Sequence, residues 1–145
     1  MDKRTRTVLI AGATGVVGHA ALEHFAGAGW NVVAVSRRRP ELPAGLGVRH
    51  LALDLNDAQA CRTAAASLTG TSHLVYAALF EKPGLVRGWR EEDQMQTNLA
   101  MLRNLLDPLL EHAPGLQHAS LLQGTKAYGV HLHPVAVPAR ESTPR

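Results

Sequence analysis

Apolar positions in this chain fall into short unbroken runs, separated by stretches of helical spacing. Thr7-Val8-Leu9-Ile10-Ala11 shows no polar alternation, the pattern of a strand buried on both faces. Asn31–Val35, Val48–Leu53, His73–Ala77 and His118–Leu122 read as four further strands. After the first, Val17, Ala21, Leu22 and Phe25 fall on one face of a helix that stops at Gly27-Ala28-Gly29. Asn56 is placed to cap a helix through about Leu68, its side chain accepting from free backbone N–H groups. A longer helix begins near Glu91, with Met95, Leu99, Leu102, Leu106 and Leu109 at helical spacing. Pro108 inside that pattern predicts a kink or a weakened last turn. Strands alternating with helices over short connections predict right-handed βαβ units. The fold expected is α/β, a doubly wound parallel sheet of order 3-2-1-4-5 in three layers. After Gln123 no regular pattern remains. The chain therefore divides into a sheet-forming domain over 1–123 and an irregular tail over 124–145.

Composition adds little to that frame and excludes some alternatives. At 145 residues the chain has the length of one domain, and 46% hydrophobic residues can bury a core. A net charge of +3 is too small to imply a nucleic-acid partner. The basic residues are scattered, apart from Arg37-Arg38-Arg39. One cysteine, Cys61, cannot form an internal disulfide, which fits a cytoplasmic protein, and it reads as a small core hydrophobe. No run of residues is long and apolar enough to cross a membrane. His131 and His133 would share a face of an extended segment, but no third ligand of matching spacing lies nearby, so no metal site is expected. The stripe from Met95 to Leu109 is expected to be core, with a share in a homodimer contact.

The chemistry begins in the turn between the first strand and the first helix. Gly12-Ala13-Thr14-Gly15-Val16-Val17-Gly18 has the glycine spacing of a dinucleotide turn in a Rossmann-type fold. Gly12 permits the turn, Gly15 lets backbone approach a pyrophosphate, and Gly18 lets helix and strand pack closely. Thr14, Val16 and Val17 bring backbone N–H groups and the positive helix end to the same place. Where NAD enzymes usually carry an acid at the end of the second strand, this chain has Ser36-Arg37-Arg38 and no acid until Glu41. Two guanidiniums there suit a 2′-phosphate, which an acid would repel, so the expected cofactor is NADP(H). Asp54-Leu55 follows the third strand, where the carboxylate can accept from an adenine amino group and the backbone can read the ring edge. A simple helix-capping Asp would look the same. Tyr76-Ala77-Ala78, ending the fourth strand, offers small residues where a cofactor passes close to backbone.

Taken together, these residues resemble extended and atypical short-chain dehydrogenases/reductases, and more closely their progesterone 5β-reductase/iridoid synthase-like branch. The resemblance covers essentially the whole chain. It is carried by Gly12-Ala13-Thr14-Gly15, Ser36-Arg37-Arg38-Arg39-Pro40, Asp54-Leu55-Asn56-Asp57, Thr97-Asn98 with Arg103-Asn104-Leu105-Leu106-Asp107, and Leu116-Gln117-His118. The most selective piece is Leu122-Gln123-Gly124-Thr125-Lys126-Ala127-Tyr128-Gly129. The resemblance implies reduction of an enone C=C bond or a carbonyl of a small molecule with NADPH. It implies that Asn98 and Gln123 belong to the cofactor site. It also implies that Lys126 is the catalytic lysine, binding the nicotinamide ribose and lowering the pKa of a catalytic tyrosine.

Two departures qualify that picture. Neither Tyr76 nor Tyr128 has a lysine four residues on, so the common Tyr-x-x-x-Lys pair is missing. In the resembling branch the catalytic tyrosine and the substrate domain come further along the chain than Lys126. Either this is the cofactor half of a longer enzyme, inactive in isolation, or Tyr128 substitutes as the acid. Placement of Tyr128 at the pocket wall is the alternative. A nucleotide-sugar epimerase or dehydratase would share the fold and the glycines, though Arg37-Arg38 count against tightly held NAD. A non-enzymatic NADP(H) sensor is the reading from a different class.

Overall fold

The computed structural model describes residues 6–42, 45–84 and 91–144. In chain order the elements are β1 (Thr7–Ala11), α1 (Val16–Gly27), β2 (Asn31–Ser36), β3 (Val48–Ala52), α2 (Ala58–Ala65), β4 (His73–Tyr76), α3 (Glu92–His112) and β5 (His118–Leu121). A single 3-10 turn, Thr125–Tyr128, follows β5. The strands form one sheet in the order β3-β2-β1-β4-β5, every neighbouring pair parallel, as the alternation of patterns predicts. Ala11 is in register with Val35 on one side and Tyr76 on the other, so three strands end level at one edge of the sheet.

Unbroken apolar strands need cover on both faces, and the helices supply it. Val8, Ile10, Val32 and Ala34 pack beneath α1 through Leu22, with Phe25 partly buried against them. Leu9, Ala11, Val33 and Val35 face the other way, onto Cys61 of α2 and Met101, Leu105 and Leu109 of α3. The result is the three-layer Rossmann-type arrangement. At the far edge β5 is mostly exposed.

Several sequence expectations shift. Val17 does not face the core; Gly18 and Leu22 do, because the helix turns its close-packing glycine toward the sheet. Asn56 is not the cap of α2. Its backbone N–H is taken at 3.0 Å by the Asp54 carboxylate, and Asp57 caps instead by accepting from the Ala60 N–H at 2.9 Å. The helix then ends at Ala65, short of Leu68. In α3 the buried face is Gln94, Met101, Leu105, Pro108 and Leu109, while Met95 and Leu99 are exposed. Pro108 lies within the helix, which continues to His112 with the proline buried against the core face. The Asn104 amide donates to the Leu55 carbonyl at 2.8 Å and ties α3 to the segment after β3.

Candidate cofactor site

Level strand ends leave a cleft of about 330 Å³ at the carboxyl edge of the sheet. Gly12, Thr14, Gly15, Ser36, Arg37, Asp54, Leu55, Ala77 and Ala78, all singled out in the sequence, line it. The three glycines of the turn do different work. Gly12 has φ +82°, and a Cβ there would stand 2.7 Å from the Ala77 carbonyl carbon and the Ala78 nitrogen. A Cβ on Gly18 would run into the Gly12 carbonyl. Those two glycines are required by the protein itself. Gly15 is not, since its Cβ would come no nearer than 3.4 Å to the Gly12 oxygen. Among the described residues the space in front of Gly15 is therefore free, in a cradle that a larger side chain would fill.

The same cradle holds the N-terminus of α1. The first turn of a helix leaves N–H groups without intrahelical acceptors, here those of Val16, Val17 and Gly18. No acidic side chain occupies that turn and Gly15 supplies no capping group. The Val16 and Val17 side chains point to solvent, so their contribution is backbone. A bound anion would complete this end of the helix.

Across the cleft Arg37 belongs to the lining, while Arg38 and Arg39 follow it on the turn outside the lining; all three are exposed, and none has a carboxylate partner among the described residues. Asp54 spends one carboxylate oxygen on the Asn56 backbone and side chain, at 3.0 and 3.3 Å. Its other oxygen accepts no hydrogen bond among the described residues.

The third wall is the segment after β4, where Leu79, Phe80 and Glu81 line the cleft. Sequence reading passed over them, although loops at the carboxyl ends of parallel strands are where ligands sit. Asn98 fixes this wall. Its carbonyl oxygen accepts from the Phe80 N–H at 2.8 Å, and its amide donates to the Phe80 and Gln94 carbonyls at 2.8 and 2.9 Å. One helical turn earlier, the buried Gln94 accepts from the Lys82 N–H at 2.9 Å. Lys82 also pairs with Glu91, at 2.7 Å, and with Asp93. The amide of Asn98 is thus spent on backbone, and it shapes the wall from behind.

The remaining candidates lie away from the cleft lining. The Tyr76 side chain sits in the core between sheet, α2 and α3, with its hydroxyl buried and unpartnered among the described residues. Burial pushes its pKa up to about 12, so it holds its proton and serves as core. Gln123, Lys126 and Tyr128 follow β5 at the same edge of the sheet. Lys126 is exposed and Tyr128 half-buried. Both belong to the 3-10 turn Thr125–Tyr128.

The sequence profile of the NAD dependent epimerase/dehydratase family matches residues 8–144. A 3-oxo-Delta(4,5)-steroid 5-beta-reductase of Arabidopsis thaliana is 32% identical over 126 residues, covering 83% of this chain and 31% of its own. An (S)-8-oxocitronellyl enol synthase of Antirrhinum majus is 30% identical, over 83% of this chain and 30% of its own. This chain thus spans about a third of the length of such relatives. Among solved structures, the Bordetella bronchiseptica enzyme WbmH in complex with NAD+ superposes with a TM-score of 0.74. That match has 19% identity and covers 97% of this chain and 46% of the other, a likeness of fold. By fold, glycine turn and near-complete profile match, the chain belongs to the NAD dependent epimerase/dehydratase family.

Proposed function

We propose that this chain is the NADP(H)-binding portion of a reductase acting on an enone C=C bond or a carbonyl of a small molecule. One observation carries the reading. A helix N-terminus with an open glycine cradle faces, across one cleft, Arg37, with Arg38 next on the same exposed turn and neither paired with a carboxylate among the described residues. Pyrophosphate would sit at Gly15 and the first N–H groups of α1, and a 2′-phosphate between Arg37 and Arg38. Asp54 and Leu55 would take the adenine edge, while Ala77 and Ala78 let the dinucleotide pass close to β4. Among the matched relatives, one is named as a steroid 5-beta-reductase, which supports reductive chemistry.

When bound, NADPH would supply a hydride to the electron-poor carbon of the substrate. This chain's part is to hold the dinucleotide and to place a cation where negative charge grows. Lys126 is the candidate for that cation, as the family resemblance implies, by binding the nicotinamide ribose and favouring the anion of an acid group. Tyr128, half-buried on the same turn, reads as pocket wall.

Fluorescence titration with NADPH and NADH tests this. Replacing Arg37 and Arg38 together by Ala should weaken NADPH by about 2–4 kcal/mol at low salt, and less as salt screens the charges. NADH affinity should stay as it was. Equal loss for both cofactors, or no NADPH binding by the unaltered chain, would overturn the reading.

A further inference from the structure

The arginine turn after β2 is held from behind by a hydrogen-bond relay that starts on the neighbouring strand. The Ser36 hydroxyl lies 2.6 Å from the Arg38 carbonyl oxygen. A carbonyl only accepts, so the single hydroxyl proton is committed there. His50, on β3, brings Nε2 to 3.2 Å from Ser36 Oγ and 3.1 Å from the Ser36 carbonyl. Both oxygens face that nitrogen as acceptors, so Nε2 carries the proton and donates to the pair. The far end of the turn has its own anchor, since His19 of α1 donates through Nε2 to the Glu41 carbonyl at 2.8 Å. The arginine side chains themselves have no such fastenings among the described residues.

This allocation changes the role of Ser36. The residue borders the cleft, but its proton is spent inward and one lone pair is taken by His50. Only an acceptor is left to face outward, and a phosphate oxygen needs a donor. We propose that His50 and Ser36 are positioning residues that set the backbone of the arginine turn, and so the preference for a 2′-phosphorylated dinucleotide. The proposal rests on the reading of Arg37 and Arg38 given above. Its physical basis is preorganisation: a guanidinium on a fixed turn meets the phosphate without first losing the freedom of a loose loop.

A thermodynamic cycle on the purified chain tests it, with NADPH and NADH titrations and thermal unfolding measured for every variant. Ser36→Ala should weaken NADPH about tenfold, the worth of roughly one neutral hydrogen bond at the upper end of its range, and leave NADH within about twofold. His50→Ala should do the same, and Ser36→Thr, which keeps the hydroxyl, should restore the unaltered affinity. In the background of Arg37→Ala with Arg38→Ala, Ser36→Ala should have no further effect on NADPH. A full tenfold loss persisting in that background, or equal losses for NADPH and NADH, would overturn the relay while leaving the arginine reading intact. If the arginine double variant alone binds NADPH as the unaltered chain does, the underlying reading fails instead.

Discussion

Gly15 and Gly18 of the turn should separate cleanly when each is changed. At Gly15 the backbone has φ −80° and ψ 162°, open to any residue, and a Cβ would meet only the Gly12 oxygen at 3.4 Å. Ala is a poorer helix cap than Gly, yet it removes freedom from the unfolded chain, and the two effects oppose each other within about 1 kcal/mol. Gly15→Ala should therefore keep the melting temperature within about 3 °C of the unaltered chain, taking roughly 3–4 °C per kcal/mol at this size. Gly18→Ala drives a Cβ into the Gly12 carbonyl, a backbone group with no rotamer to yield. The helix must lift from β1, at a cost of about 2–3 kcal/mol and a fall of roughly 6–10 °C. Binding should sort the other way. Gly15→Val fills the cradle and keeps phosphate from the free N–H groups of α1, so the loss of two charge-assisted contacts should cost at least about 3 kcal/mol, or over a hundredfold. Thermal unfolding by circular dichroism and NADPH fluorescence titration supply both numbers. A Gly15→Val chain that is stable and binds NADPH normally would refute the site. A Gly18→Ala chain as stable as the original would refute the packing argument.

Two further outcomes follow from the wall behind the cleft. Asn98→Ala removes three hydrogen bonds that hold the Phe80 backbone and Gln94, and should destabilise the chain by about 2–3 kcal/mol while speeding amide exchange at Phe80; unchanged exchange there would show that the wall stands without the clamp. Tyr76 has its pKa raised from 10.0 to about 12 by burial, so the folded state binds that proton more tightly than the unfolded one. The stability it contributes is complete below pH 10 and is lost as pH rises from about 10 through 12, a decline that Tyr76→Phe should flatten. An identical alkaline profile for both proteins would contradict the burial of the hydroxyl.

The sheet was legible because its signal is redundant. Five apolar runs, spaced by helical patterns, leave few topologies open, and the register of Ala11 with Val35 and Tyr76 follows from the parallel βαβ path. Strand-end glycines and arginines were legible for a related reason, since their positions are set by the backbone of the turn. Side-chain direction was less accessible. Tyr76 ends β4 next to two small cleft residues, but its ring is buried in the core beside Cys61 and Met101 instead of lining the cleft. Asn56 and Asp57 are adjacent capping residues, and the choice between them rests on the Asp54 carboxylate capturing the Asn56 N–H. The Asn98 and Gln94 clamps, the Lys82 pairs and the His50 link to Ser36 join residues 9 to 18 positions apart through side-chain contacts. No single-residue pattern signals them, because each member alone looks like an ordinary polar position.

The two ends of the cleft are built by different physics, and this bears on how such a site can change its cofactor. At the arginine end, the proposed affinity would rest on exposed charges on a turn held by Ser36, His50 and His19. Exposed charges are cheap to exchange, since nothing in the core depends on them. At the other end, Asn98 and Gln94 grip main chain from a helix whose next turns, through Met101 and Leu105, form the core itself. Changes there draw on folding stability as well as on binding. Between them, the Gly12–Gly18 turn is constrained by contacts of backbone with backbone, which no side chain can replace. On the proposed reading, such a site could alter its recognition of the 2′ position through two or three surface residues while the Gly12–Gly18 turn and the segment after β4 stay fixed. Cofactor preference would then be the most readily altered property of the cleft, and the proposed His50–Ser36 relay the place where that alteration meets the rigid part of the fold.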